Sequence, residues 1–315
     1  MVQPAIIEPV PADEVGRTLR FLVAGQRRDV SVALRAEAYE RMMALANGPW
    51  RFWRARRAGG PVAASLVIPS PGGVGMVFHS PPRAPGVEAE SVAPVVREAS
   101  AESLRDGVSF VQSLVAPTRS EDTAMLAAAG FRRLAELVYM HLDLRSAAAA
   151  QTGELDGQVV WRSYGQFGEA ELADAIARTY EQSLDCPGLY GLRKLPEVIE
   201  GHKASGLFSP KSWWIAEMSD QAAGVALIND SSSSPGDAEL VYMGVARPWR
   251  GRGLGRALVD RAIEWGRRGR REFLTVAVDS GNVHARRVYD AAGFRETDRR
   301  LAFIFSAASM ESGRK

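Results

Sequence analysis

The chain has one cysteine, Cys186, and four histidines in 315 residues. A single cysteine cannot close an internal disulfide or build a cysteine zinc site, which suits a reducing, cytoplasmic setting. No histidine stands in an HExxH pattern or a Cys/His cluster, so no metal is expected. No apolar run approaches the roughly 20 residues of a membrane span. The start, "MVQPAIIEPVPADEVG", has neither the basic region nor the apolar stretch of a secretory signal. Neither sign of charge is in excess. The net charge of +2 gives no reason to expect a polyanionic partner for the molecule as a whole. With 46% hydrophobic and 24% charged residues, the composition is that of a globular protein long enough for two domains.

What the sequence does contain is repetition. Trp50 in "PWRFWRA" and Trp213 in "SWWIAEM" lie 163 residues apart, as do Val62 and Val225 in the apolar segments that follow. "FVQSLV" (110–115) matches "FLTVAV" (273–278), and Gly130 of "AAAGFRR" matches Gly293 of "DAAGFRE", at the same offset. One offset over four elements implies a duplicated domain rather than a solenoid. The alanine-rich "RSAAAAQTGELDG" (145–157) reads as the joint. The expected division is therefore a first domain over 1–145, a linker over 146–157 and a second domain over 158–315.

In the second half, "SWWIAEM", "AGVALIN", "AELVYMGVA" and "FLTVAV" have strand patterns, and "RRLAFIFS" reads as the closing strand. "LGRALVDRAIEWGRRG" carries an apolar stripe of Leu254, Leu258, Ala262 and Trp265. "NVHARRVYDAAGF" is a second helix, with Ala285, Val288, Tyr289 and Ala292 on one face and Gly293 at its end. Strands interleaved with helices predict an α/β (α+β) fold, a mixed sheet with helices packed on it. Strict alternation along "ELVYMGV" places Glu239, Val241, Met243 and Val245 on one face.

Between strand and helix lies "RPWRGRGLGRALVD" (247–260), with Gly251, Gly253 and Gly255 among Arg250, Arg252 and Arg256. Glycines in such a run suit a backbone that side chains would obstruct. Amides at a helix N-terminus have no helical acceptor and favour an anion such as a pyrophosphate. There is no Gly-Lys-Ser/Thr, so this is no P-loop, and GxGxG is not the GxGxxG of a Rossmann site.

On these residues the sequence resembles the Gcn5-related N-acetyltransferase (GNAT) superfamily, as a tandem-domain member. That family's coenzyme A loop, Arg/Gln-x-x-Gly-x-Gly/Ala, matches Arg250, Gly253 and Gly255. Its Asn-x-x-Ala-x-x-x-Tyr-x-x-x-Gly-Phe pattern matches Asn282, Ala285, Tyr289, Gly293 and Phe294. The resemblance covers 158–305 directly and 1–145 through the duplication, and implies two tandem domains, each a mixed, mostly antiparallel sheet flanked by helices. It implies an acetyl-CoA-dependent N-acetyltransferase without a metal, acting on a primary amine of a small molecule or a protein N-terminus. Gly251, Leu254 and the three arginines would surround the pyrophosphate. Met243, Gly244 and Val245 would line the pantetheine, and Asn282 and Ala285 would lie close to the cofactor. Tyr289 would be the general acid and Glu239 the general base. Asp185 and Tyr190, in the segment that covers the acceptor in this family, are acceptor-contact candidates. No role is assigned to Cys186.

A non-catalytic acyl-CoA sensor or protein-interaction module is the competing reading, and it needs neither Glu239 nor Tyr289. Nucleic-acid binding through "RRGRR" (267–271) ranks last, since no aromatics interleave with the arginines. The first half lacks the motif. Arg250, Gly253 and Gly255 fall on Val87, Glu90 and Val92, while Asn282, Tyr289 and Glu239 fall on Arg119, Leu126 and Met76. The first half is therefore expected to bind no coenzyme A.

Overall fold

A computed structural model describes residues 4–27, 30–46, 48–146, 155 and 158–312. Apart from Ser146 and Leu155, the expected linker lies outside the described residues. The chain forms two compact units, one of Met1–Leu134 with Leu301–Lys315, the other of Ala135–Arg300.

The first unit contains β1 (Ile6–Pro9), α1 (Val15–Ala24), α2 (Val30–Ala44), β2 (Arg51–Arg57), β3 (Gly60–Ser70), β4 (Val74–His79), α3 (Ala89–Arg105), β5 (Phe110–Val115) and α4 (Ser120–Ala128). β6 (Arg132–Asp143) begins in it and runs on into the second unit. The second unit continues with β7 (Val160–Ser163), α5 (Glu169–Tyr180), α6 (Leu195–Ala204), β8 (Leu207–Met218), β9 (Gln221–Asp230), β10 (Ala238–Val245), α7 (Leu254–Arg268), β11 (Phe273–Asp279) and α8 (Val283–Ala292). β12 (Arg295–Phe305) leaves it, and α9 (Ala307–Ser312) ends the described chain.

Both units repeat one plan. In the first, β1 to β5 pair in order and the end of β12 lies antiparallel to β5, Leu301 opposite Val115. In the second, β7 to β11 pair in order and β6 lies antiparallel to β11, Tyr139 opposite Ala277. β4–β5 and β10–β11 are parallel pairs. The compact units thus differ from the two contiguous halves expected. The last strand of each sequence half completes the sheet of the other unit. The strand "RRLAFIFS", expected to close the second domain, ends in the first. Val138, Met140 and Leu142 of β6 enter the core of the second unit, and Leu301, Phe303 and Phe305 of β12 enter that of the first.

In the second unit α7 and α8 cover one face of the sheet, over Leu240, Leu274, Val276 and Val278. α5 covers the opposite face over Trp213, Ile215, Val225 and Leu227. α7 is amphipathic, burying Leu254, Leu258, Ala262 and Ile263. Truncating such a residue to alanine typically costs about 2–5 kcal/mol. α8 starts where the Asn282 side chain accepts the amide of Ala285 at 3.2 Å and ends at Gly293, whose φ of 95° suits glycine. Gly130 ends α4 of the first unit with φ 91°, so the duplication extends to backbone conformation.

Candidate functional site

The site begins with a parting of strands. β10 and β11 pair only at Ala238–Leu274 and Glu239–Thr275, although β10 runs on to Val245 and β11 to Asp279. The other edge of β10 stays paired to β9 as far as Val245. The amide of Ala246 points to β9, donating to Ala223 at 2.9 Å. By alternation, the main-chain groups of Met243 and Val245 point into the cleft toward β11. A Cβ on Gly244 would fall 2.6 Å from Thr179, so glycine lets α5 approach the strand there.

β10 is bulged at Val241, and this corrects the expected facing. Glu239 lies opposite Asn229, Tyr242 opposite Leu227 and Met243 opposite Ala226, with the register shifting between Leu240 and Tyr242. Beyond the bulge the faces invert. Tyr242 therefore joins Glu239 on the α5 face, while Met243 and Val245 pack against the α7 core.

The glycine loop stands at the open end of the cleft. Gly251 and Gly253 have φ of 75° and 84°. A Cβ on Gly251 would meet nothing within 4 Å, and one on Gly253 only Leu155 at 3.8 Å. The amides of residues 251–255 have no hydrogen-bond acceptor among the described residues. Leu254, 1% exposed, anchors α7 in the core. Gly255 brings the first turn of α7 to Val288 and Val245, 3.7 and 3.9 Å from where its Cβ would stand. The loop is a main-chain cradle open on one side, and a pyrophosphate suits its donors.

The three arginines beside the loop have different partners. Arg250 donates to the carbonyls of Val245 (3.0 Å), Gln182 (3.0 Å) and Thr179 (2.9 Å). Arg256 pairs with Asp260 at 2.9 Å and donates to the carbonyl of Ala291 at 3.0 Å. Both occupy the ends of helices, α5 and α8, where carbonyls lack helical partners and carry partial negative charge. Arg252 is exposed and stacks on Trp249, 5.2 Å from the ring centre. The cradle is built chiefly from amides, and Arg250 and Arg256 hold its walls.

Tyr289 is 4% exposed, packs on Phe294, and its hydroxyl has no hydrogen-bond partner among the described residues. Burial, and secondarily the field of Asp185, hold its phenol protonated well above the usual tyrosine range. Ala285 lies on the same α8 face, against the α7 core. Burial raises the Glu239 carboxyl, which also lacks a hydrogen-bond partner among the described residues.

The structure brings Asp185 to Asn282 and Tyr289. Burial raises its carboxyl. The amide of Asp279, donating at 3.4 Å, and the side chain of Asn282 oppose the rise, while the Asp279 carboxylate adds to it. Tyr190 stacks on Tyr180 at 5.1 Å and donates to the Asp185 carbonyl at 3.4 Å. Burial pushes the Cys186 thiol far up, which leaves it protonated and a poor nucleophile. Among the described residues no group of His, Cys, Asp and Glu has the arrangement of a metal site, and no helix is long and apolar enough to cross a membrane.

Three residues of the site were not singled out in the sequence. Tyr242 reaches the α5 face through the bulge. Asp279 binds the segment carrying Asp185. Tyr139, on β6, has its phenol raised by burial and by the charge of Glu239. Tyr139 lies in the first half of the sequence, so no local signal assigns it to this unit.

A mixed sheet with a bulged strand parting from its parallel neighbour, and a glycine cradle at the opening, has the architecture of the acetyltransferases that use acyl-CoA. Residues 177–294 match the model of the acetyltransferase (GNAT) family. Over nearly its whole length the fold is that of tandem GNAT proteins. The chain is similar to a GCN5-related N-acetyltransferase from Sphaerobacter thermophilus, with TM-score 0.60 and 17% identity over 97% of this chain and 96% of that one. It is similar to a tandem GNAT protein from the clavulanic acid biosynthesis pathway, with TM-score 0.55 and 16% identity over 96% and 98%. A glucosamine N-acetyltransferase region of a fungal multi-domain GH3 β-N-acetylglucosaminidase gives TM-score 0.62 and 15% identity over 96% of this chain and 38% of that one. No curated protein matches the sequence.

Proposed function

We propose that the second unit is an acetyl-CoA-dependent N-acetyltransferase acting on a primary amine of a small molecule or a protein N-terminus. One observation carries the reading. Tyr289 carries a protonated hydroxyl that no described residue engages, on the helix packed beside a cradle of main-chain amides that also lack acceptors among the described residues. Donors without protein acceptors, gathered at one helix N-terminus beside a cleft, suit an anionic ligand.

Acetyl-CoA supplies a thioester acyl donor. The cradle of 251–255 binds its pyrophosphate, with Arg252 at the rim. The cleft between β10 and β11 takes the pantetheine, whose amides pair with the main-chain groups of Met243 and with the Val245 amide, the Val245 carbonyl being held by Arg250. An amide of the same edge stabilises charge developing on the carbonyl oxygen, as preorganised donors do. Glu239 accepts the proton of the attacking amine, directly or through water; its raised pKa suits that task. The C–N bond forms as the C–S bond breaks, and Tyr289 gives its proton to the sulfur. By analogy with cysteine the departing thiol has a pKa near 8.5, below that of the phenol, so the transfer is completed as Tyr289 regains a proton from water.

The test is a panel of amines with acetyl-CoA and detection of free thiol. Amine-dependent thiol release supports the reading. Tight acetyl-CoA binding with no turnover of any amine favours the sensor.

A further inference from the structure

Arg250 and Asp279 stand at the two tips of the cleft, and both hold the same short segment. Arg250 is fixed to the end of β10 through the Val245 carbonyl, and its other donors take the carbonyls of Thr179 and Gln182. Asp279 ends β11. Its carboxylate accepts the amides of Cys186 at 3.2 Å and Gly281 at 2.9 Å, while its own amide donates to Asp185. Residues 182–186 therefore run from one tip of the parted strands to the other. Four residue steps reach at most roughly 14 Å, so the segment is a short tie with little slack.

Its ends are strained. Gln182 and Cys186 have φ of 50° and 44°, in the left-handed region that side chains disfavour. Between them the segment is internally braced, with the amide of Asp185 donating to Ser183 Oγ at 3.1 Å. Two non-glycine hinges around a braced segment persist only where the surroundings hold them. Arg250 and Asp279 tie its two ends to the strand tips, while Tyr190 and Asn282 engage Asp185 between them. The exposed Arg247–Glu181 pair at 3.1 Å adds little.

We propose that Asp279 and Arg250 are positioning residues, the two latches of a strap, Gln182–Cys186, that spans the open end of the β10–β11 cleft and must release for coenzyme A to enter or leave. This rests on the acetyltransferase reading, which places pantetheine in that cleft. Closing the strap also sets the Asp185 carboxyl beside Asn282 and Tyr289.

The test measures association and dissociation rates of acetyl-CoA by stopped-flow tryptophan fluorescence on the full chain, for wild type, Asp279→Asn and Arg250→Lys. Asparagine leaves one oxygen where two amides are now accepted. Lysine cannot reach three carbonyls with a single ammonium. Weakening either latch should raise both rates together by about tenfold, the scale of one lost hydrogen bond to a charged group, with Kd moving less than about threefold. A residue that merely shaped the pocket would change Kd through dissociation alone. Unchanged rates in folded variants, or faster dissociation without faster association, overturns the strap. If one variant fails to fold by thermal melting, the other latch decides. Absence of acetyl-CoA binding to the wild type overturns the acetyltransferase reading itself, and the strap with it.

Discussion

Glu239 and Tyr242 share one face of β10 although three positions separate them, because Val241 bulges out of the ladder. Tyr242 is locked there, with its hydroxyl 2.5 Å from Thr179 Oγ1 and its ring 5.3 Å from His202. Tyr242→Phe should cost about 1 kcal/mol, the usual worth of one hydrogen bond. Thr179 keeps its bond to the Ile176 carbonyl, so the loss stays local. Urea unfolding with an unchanged m-value checks it. A loss of several kcal/mol would mean that the hydroxyl supports more than Thr179.

Gly253→Val should weaken acetyl-CoA binding by about an order of magnitude or more while the fold survives. A valine at φ 84° is strained, and its side chain enters the open cradle rather than the core. Calorimetry should give about one acetyl-CoA per chain in the wild type. In the first unit Glu90 and Val92 lie in the first turns of α3 in place of glycines, and Val92 is fully buried. Arg119 precedes α4 without a side-chain cap, and Leu126 is buried where Tyr289 would be. A second site, or one that survives Gly253→Val, would show that the first unit also binds the cofactor.

Tyr289→Phe keeps the ring and removes the proton. Turnover should fall by roughly 10²-fold, the lower end for a lost general acid, with acetyl-CoA affinity little changed. A turnover near wild type would mean that water protonates the thiolate.

Glu239→Gln should lower turnover and flatten the acid limb of the pH profile. In the wild type that limb lies above the ordinary glutamate range, since burial raises the carboxyl and the base works only when ionised. Stability should move the other way. A carboxyl raised on folding contributes stability below the unfolded pKa and loses it as pH rises through the folded one. At pH 7.5 ionised Glu239 is therefore a cost that glutamine removes. Melting temperature should rise by roughly 2 °C. A fall on melting, or an unchanged acid limb, counts against the buried-base assignment.

The cradle, the Asn282 cap, the face of α8 and the duplication were legible in the sequence, because each rests on spacing within one element or on one constant offset. Even the least secure counterpart is supported by pairing: Met76 lies opposite Gln112 as Glu239 lies opposite Thr275, both pairs displaced by the same 163 residues. The bulge was not legible. "AELVYM" occurs at 135–140 and again at 238–243. In β6 the pairing runs without a shift, so Glu136 and Tyr139 alternate to opposite faces. In β10 the same six residues are bulged. The difference comes from neighbouring strands, which local sequence does not carry. Arg250 was legible as a cation near the loop, but its partners lie 68 and 71 residues away on a helix end.

The exchanged strands bear on how the chain reaches its native state. As the polypeptide emerges during synthesis, the first unit has β5 but not Leu301–Phe305, which pair with it and bury Phe303 and Phe305 in its core. Until Leu301–Phe305 leave the ribosome, β5 presents a bare hydrogen-bonding edge. The first unit therefore cannot mature ahead of the second, as domains laid end to end usually do. A cut between the sequence halves would leave two fragments, each holding the other's closing strand.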